Sequence, residues 1–420
     1  MKNKNLLAQK ASHLGTAFMR VAGTFLQPHV SHRIHRMDAS MSTLPHIDFI
    51  YLSEPDMIRA GVTDMHACVD AMEQMFALLA VGDYRMAGEN NDSHGSMVTF
   101  PKDSPFPNMP TPTEDRRFMA MPAYLGGDFQ TTGVKWYGSN IENRQKGLPR
   151  SILMFTLNDT DTGAPLAFMS ANLLSAYRTG AVPGVGARHF ARKDSRVVGV
   201  AGPGVMAKTT LLSFVDACPL IDTLKIKGRG AESLRKFQEW VREELPQITT
   251  IEVVDTFEDV VRGSDLVTFC TTGTGAAGPE DYPTIKREWV KPGAFFGMPS
   301  LCNVEDSLLE KDVTKVVDAR GLYEAWFHDL PAPSYNHIPL IGQKWMDLVQ
   351  AGALDRDELV DIADVVAGTK PGRQSEDEIV IMSVGGMPIE DVAWGTKVYR
   401  NAVRLGLGQS LNLWSEPALA

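Results

Sequence analysis

The sequence has no CxxC pair: its four cysteines, Cys68, Cys218, Cys270 and Cys302, lie far apart. That spacing excludes a zinc knuckle and a disulfide framework and fits a reducing compartment. No run approaches the roughly 18 to 20 consecutive apolar residues that a membrane span needs, so a soluble chain without membrane partners is expected. Basic residues are not in excess either. Lys and Arg number 41 against 51 Asp and Glu, a formal net charge of -10, which argues against a general affinity for nucleic-acid phosphates. An anionic ligand therefore needs a local basic pocket.

Acidic residues are absent from the first 37 positions, which carry Lys2, Lys4, Lys10, Arg20, Arg33 and Arg36. This is the composition of an organelle transit peptide, and equally of a disordered basic extension, or of translation that truly starts at Met37 or Met41. The expectation is a disordered basic extension over residues 1–42 and a cytoplasmic protein, or a mitochondrial one if the extension is a transit peptide. His29, His32 and His35 fall in this tail, where they are solvated or bind metal adventitiously; no metal site is assigned.

With 420 residues, 44% of them hydrophobic, the chain buries a full core and its length favours two domains. Val69, Met72, Met75, Phe76 and Leu79 recur at helical spacing and predict a helix over Met65 to Leu79. Asn90 to Pro112 holds five prolines and reads as a long loop. Short strand-like runs follow at Phe118 to Tyr124, Gly133 to Tyr137, Ser151 to Asn158 and Pro165 to Met169, which suggests an antiparallel sheet. Ser170 to His189 reads as an Ala-rich helix broken near its middle by Pro183 and two glycines.

After Asp194 strands and helices alternate. Strands are expected at Arg196 to Ala201, Thr223 to Lys227, Ile251 to Val254, Leu266 to Cys270 and Gly293 to Gly297. Helices are expected between them at Val205 to Ala217, Ala231 to Glu244 and Phe257 to Gly263. This alternation predicts a parallel sheet with helices on both faces. The fold class is thus α/β, a Rossmann-type doubly wound sheet plus an α+β domain with a mainly antiparallel sheet.

The first of these strands ends in Gly202-Pro203-Gly204-Val205-Met206-Ala207, a GxGxxA turn leading into a helix. The first glycine permits the tight turn, the second lets backbone amides approach a pyrophosphate, and Ala207 keeps helix and strand close. A strand-to-helix turn also needs glycine for purely structural reasons; the surrounding alternation favours a dinucleotide. An Asp or Glu normally follows the second strand to bind the adenosine ribose. Here Leu224 to Gly230 has no acid but has Lys227 and Arg229, either surface residues or partners for a 2'-phosphate, so NADP(H) is expected over NAD(H). The expected cofactor-binding residues are Gly202, Pro203, Gly204, Val205, Met206, Lys227, Arg229, Thr271 and Thr272.

Several segments together resemble the ornithine cyclodeaminase and mu-crystallin family. They are MPAYLGG at Met121, GVKWYGSN at Gly133, SAYRTGAVPGVGARHFA at Ser175, GPGVMAK at Gly202, EWVKPGAFFG at Glu288 and GGMPIEDVAWGTKVY at Gly385. PGRQSEDEIVI at Pro371 is most similar to the branch containing an opine-type dehydrogenase of siderophore precursor synthesis. Some bacterial relatives with a similar SHG segment carry the label of a tyramine oxidase subunit. The resemblance implies a homodimer and a substrate-binding and dimerisation domain over residues 43–192. It also implies a cofactor domain over 193–387, and a final helix near Ile389 to Val403 within a returning segment, 388–415.

The resemblance further implies that Lys135 and Arg178 hold a substrate carboxylate, a task suited to an ammonium and a planar guanidinium. Two departures stand out. Where deaminating members have a catalytic aspartate, the aligned position is Asn303, which cannot exchange a proton near neutral pH; Glu305 and Asp306 are substitutes or a charged helix start. Where relatives offer an arginine, this chain has Asn90 to Gly95 with His94, which takes an acid-base role or shapes a turn. The leading expectation is an NAD(P)-dependent oxidoreductase acting on a small amino or imino acid. The alternatives are a cyclodeaminase-type lyase releasing ammonia and a non-catalytic dinucleotide-binding subunit of an amine oxidase.

Overall fold

The structure, a computed structural model, describes residues 46–113, 115–271 and 281–419. The basic extension with its histidines and alternative starts, and Thr272, lie outside the described residues.

The chain opens with β1 (Ile47–Leu52), α1 (Glu54–Arg59) and α2 (Met65–Val81). Asp64 caps α2 by accepting from the Ala67 amide, and Gly82, at φ 80°, ends it, the expected chemistry at each end. Its buried Met65, Cys68, Val69, Met72, Met75 and Phe76 lie on one stripe. Six strands follow: β2 (Tyr84–Met86), β3 (Ser96–Thr99), β4 (Arg117–Leu125), β5 (Thr131–Ser139), β6 (Ser151–Asp159) and β7 (Pro165–Ser170). β3 corrects the reading of Asn90 to Pro112 as loop throughout. It pairs antiparallel with β4 but is exposed along its length, so it lacks the half-buried alternation that reveals strands.

Next comes α3 (Asn172–Phe190), which runs unbroken through Pro183, a second correction. Its glycines serve contact rather than interruption. A Cβ on Gly180 would stand 2.3 Å from Thr209 Oγ1, one on Gly184 2.5 Å from Ser213, and one on Gly186 2.3 Å from the Met382 sulfur. Helix α4 (Val205–Ala217) packs directly against this small-residue face, and Ser213 Oγ donates to the Gly180 carbonyl at 2.6 Å. Close packing therefore offsets the roughly 3 kcal/mol that an internal proline costs a helix.

The second half alternates as expected: β8 (Val197–Ala201), α4, β9 (Thr223–Lys227), α5 (Ala231–Glu244), β10 (Thr250–Val253), α6 (Phe257–Val261) and β11 (Leu266–Phe269). Then come β12 (Thr284–Ile285), β13 (Phe295–Met298) and β14 (Asn303–Val304). Periodicity alone assigns nothing between Gly297 and Ile389. The structure builds β15 (Val313–Val317), α7 (Arg320–Asp329), α8 (Ile341–Gln350), β16 (Leu359–Asp361), α9 (Ile362–Val366) and β17 (Ile379–Ser383) there. Eight strands form one sheet in the order β10-β9-β8-β11-β13-β17-β15-β16, parallel at every pairing. The chain steps outward from β8 to β10 and then returns to the other side of β8, so the order reverses between β8 and β11. Ligands of such sheets sit at that switch point, beyond the strands' carboxyl ends.

The chain closes with α10 (Pro388–Leu405) and β18 (Gln409–Trp414). β18 completes the first sheet, in the order β18-β1-β7-β6-β5-β4-β2 with β3 on β4; all its pairings are antiparallel except β1 with β7. Helix α10 packs on β4, β5 and α2, which returns the end of the chain to the first sheet. The two sheets make a two-domain α/β fold. Among the described residues no helix is long and apolar enough to cross a membrane.

Candidate active site

The turn after β8 shows two different reasons for glycine. Gly202 has φ 92°, and a Cβ there would stand 2.7 Å from the Cys270 carbonyl oxygen, so the backbone itself demands it. At Gly204 an added Cβ meets nothing within 4 Å among the described residues; no atom of these requires that glycine. Gly204 is the N-cap of α4 and supplies no side-chain cap, which leaves first-turn amides to an anion. Ala207 is fully buried, as close packing of helix on sheet requires.

Gly202, Pro203, Gly204, Lys227, Arg229 and Thr271 line one crevice of about 590 Å³. The hydroxyl of Thr271 is buried without a hydrogen-bond partner among the described residues. An uncapped helix start, a glycine facing open space and an orphaned hydroxyl fit a dinucleotide diphosphate. Val205 and Met206 form the first turn of α4; Val205 is exposed. Lys227 Nζ donates to the Asp255 carbonyl and lies 5.2 Å over the Phe257 ring. Arg229 is exposed.

Lys135 and Arg178 meet in a buried ionic cluster. Alternation along β5 turns Lys135 inward with Gly133 and Tyr137, at 1% exposure. Its Nζ donates to Asp391 Oδ2 at 2.8 Å and to Ser175 Oγ at 3.2 Å. Arg178, on α3, donates from Nε to Asp391 Oδ1 at 3.1 Å and from Nη1 to Glu390 Oε2 at 2.6 Å. Glu390 also accepts the Met387 amide at 2.9 Å. Asp391 thus joins the two cations, and two carboxylates balance two cationic groups.

Burial, and then the nearby Arg178 charge, push the Lys135 ammonium down to about 8, against the pull of Asp391. Burial opposes the charged Arg178 guanidinium, but Asp391 and Glu390 outweigh it and raise its pKa above the ordinary value. Burial raises the Glu390 carboxyl to about 7, with Arg178 opposing. His94 joins from the loop before β3. Its Nδ1 lies 2.7 Å from the Gly386 carbonyl oxygen, and its ring is 5.9 Å from that of Trp326. Burial, then the Lys135 charge, hold the imidazole down to about 4. A carbonyl only accepts, so Nδ1 carries the proton and Nε2 is left bare.

Asn303 does not join this cluster through any hydrogen bond among the described residues. It sits on β14, where its Oδ1 accepts from Lys344 Nζ at 2.7 Å. Glu305 and Asp306 begin a short 3-10 helix, the charged helix start of the two readings. Sequence reasoning missed Glu390, Asp391 and Asp318. Asp318, fully buried, accepts the Gly385 and Gly386 amides at 2.6 and 2.9 Å and so fixes the turn that His94 touches. The available signal was a pair of carboxylates within the otherwise apolar first two turns of that helix, Pro388 to Gly395.

Fold and site define a class: two-domain α/β proteins whose doubly wound sheet presents a glycine turn shaped for a dinucleotide. The chain belongs to the ornithine cyclodeaminase/mu-crystallin family, whose model matches residues 61–405. It is 26% identical over 373 residues to the N-((2S)-2-amino-2-carboxyethyl)-L-glutamate dehydrogenase of Staphylococcus aureus, covering 87% of this chain and 99% of that one. It is 28% identical to the alanine dehydrogenase of Archaeoglobus fulgidus, over 84% and 96% of the two chains. Among solved structures, the Thermococcus litoralis Delta(1)-pyrroline-2-carboxylate reductase in complex with NADH and L-proline superposes with TM-score 0.68 at 24% identity, covering 86% and 99% of the chains. An archaeal alanine dehydrogenase dimer with bound NAD gives 0.67 at 25%, over 88% and 100%.

Proposed function

We propose that the protein is an NAD(P)(H)-dependent oxidoreductase that interconverts a small amino acid and its imine, with NADP(H) preferred. One observation carries this: α3, which bears Arg178, packs at Gly180 directly on Thr209 of α4, and α4 opens at the glycine turn. This packing of one helix on the other supports a substrate site near the cofactor turn, with Lys135 and Arg178 as its carboxylate-binding cations. Bound in the crevice, a nicotinamide cofactor supplies or accepts the hydride. The chain's own part is placement. Lys135 uses two of its three N–H groups on Asp391 and Ser175, and Arg178 keeps Nη2 beyond its bonds to the two acids; these remaining donors take the substrate carboxylate. Because the cluster is already balanced and His94 is neutral, it suits a ligand with no net charge, a zwitterionic amino acid or an iminium carboxylate. Asn303, tied to Lys344, is not assigned the proton transfer; His94, with its bare Nε2, takes it.

Lys227 and Arg229 support the NADP(H) preference, and the relative dehydrogenase of an N-substituted glutamate supports the opine-type branch. Residues 43–192 with 388–415 then hold the substrate, and 193–387 the cofactor. The outer face of the first sheet exposes Phe118, Trp136 and Ile152, with Phe118 and Trp136 stacked at 5.8 Å, and supports a homodimer through that face.

Incubation with NADPH and a panel of cyclic and N-substituted imino acids is expected to consume the reduced-cofactor absorbance. Silence across the panel, with cofactor bound, would favour the accessory-subunit reading. Ammonia release from ornithine at constant NADPH would favour the lyase. NADH bound tenfold more tightly than NADPH, about 1.4 kcal/mol, would overturn the cofactor preference. The pH profile gives a second test. Lys135 must be charged to hold a carboxylate, so kcat/KM falls as pH rises through about 8, and Lys135→Arg moves that limb to higher pH. An unmoved limb would assign it to another group.

A further inference from the structure

The crevice has a wall that the glycine turn does not explain. After β5 the chain forms a 3-10 helix, Ile141–Lys146, capped by Asn140 and ended by Gly147 at φ 70°. The turn is braced: Arg116 pairs with Glu142 at 2.8 Å, and Asn143 Nδ2 donates to the Pro149 carbonyl at 3.2 Å. Arg144 in its middle is exposed and has no side-chain hydrogen bond or ion pair among the described residues. Yet Arg144 lines the same crevice as Gly204, Lys227 and Arg229, facing them from the half of the molecule built on the first sheet.

Three cations against one lining carboxylate, Asp281, give the cavity a positive excess in a chain whose net charge is -10, which raises the local potential for an anion. A guanidinium held on a braced turn and left without a carboxylate is placed to pair with phosphate oxygens. We propose that Arg144 binds a phosphate of the dinucleotide from across the crevice, so that the substrate-binding half contributes directly to cofactor affinity. This rests on the cofactor reading above and extends it to a residue outside the doubly wound sheet.

The test compares Arg144→Gln, Arg144→Lys and Lys146→Gln for NADPH and NADH affinity by calorimetry. Lys146 is an exposed neighbour that does not line the crevice. Arg144→Gln is expected to weaken binding about tenfold, with the cofactor-free thermal midpoint unchanged; Arg144→Lys recovers most of the affinity, and Lys146→Gln changes nothing. Loss confined to NADPH identifies the 2'-phosphate as the partner, and equal loss for both nucleotides identifies the diphosphate; either supports the proposal. Arg144→Gln binding both nucleotides like wild type overturns it while leaving the cofactor reading intact. Wild type that binds neither nucleotide overturns both.

Discussion

Arg178→Met is expected to abolish turnover and to lower stability by about 3–5 kcal/mol, the scale for stranding a buried charge by removing its partner. Glu390 and Asp391 are both 0% exposed, and Arg178 bonds to each. Without the guanidinium, Glu390 keeps, among the described residues, only the Met387 amide as a hydrogen-bond partner, and Asp391 keeps Lys135. The double variant Arg178→Met/Glu390→Gln should regain much of the lost stability, because the amide needs no counter-charge, while remaining inactive. Urea midpoints and turnover of the two variants separate folding from function. A single variant as stable as wild type would mean that the two carboxylates do not need Arg178, and recovered turnover in the double variant would remove Arg178 from substrate binding.

His94→Gln is expected to lower kcat by about 10²–10⁴-fold, the usual contribution of a positioned acid-base group, with little loss of stability, since glutamine also can donate to the Gly386 carbonyl. With the imidazole held down to about 4, the residue is neutral at working pH and accepts a proton at Nε2. The acidic limb of kcat/KM should therefore fall below about pH 4. The same depression makes stability pH-dependent: between about 4 and the ordinary histidine value near 6.5 the unfolded chain binds more protons, so stability rises with pH across that window. A His94→Gln enzyme within threefold of wild-type kcat would leave His94 as a residue that only shapes its loop.

The doubly wound half was legible because its constraints are local. Parallel strands buried on both faces read as short apolar runs, as in β13, all four of whose residues are buried, and amphipathic helices separate them. The glycine turn was legible too, since conformation and approach at Gly202 and Gly204 are properties of a few adjacent residues. Helix α3 misled because Pro183 and its glycines act through a neighbour: their value lies in Thr209, Ser213 and Met382, which no window of sequence places beside them. β3 misled because both of its faces are exposed. Lys135 and Arg178 were found as candidates, but their environment was not. Glu390 and Asp391 occupy the first turn of α10, where acids are ordinary partners of the helix dipole, and only the return of α10 to the first sheet makes them counter-ions.

By itself the sequence determined the alternation of elements, the dinucleotide turn, the absence of a ribose-binding acid after β9, and the two cations of the site, because each is written in neighbouring residues. Tertiary structure decided the rest. It paired those cations with buried acids more than two hundred residues away in the chain, fixed the histidine tautomer through Gly386, tied Asn303 to Lys344, and placed Arg144 on the crevice that Arg229 also lines. Charge and hydrogen bonding depend on distance in space, and distance in space is what the fold supplies.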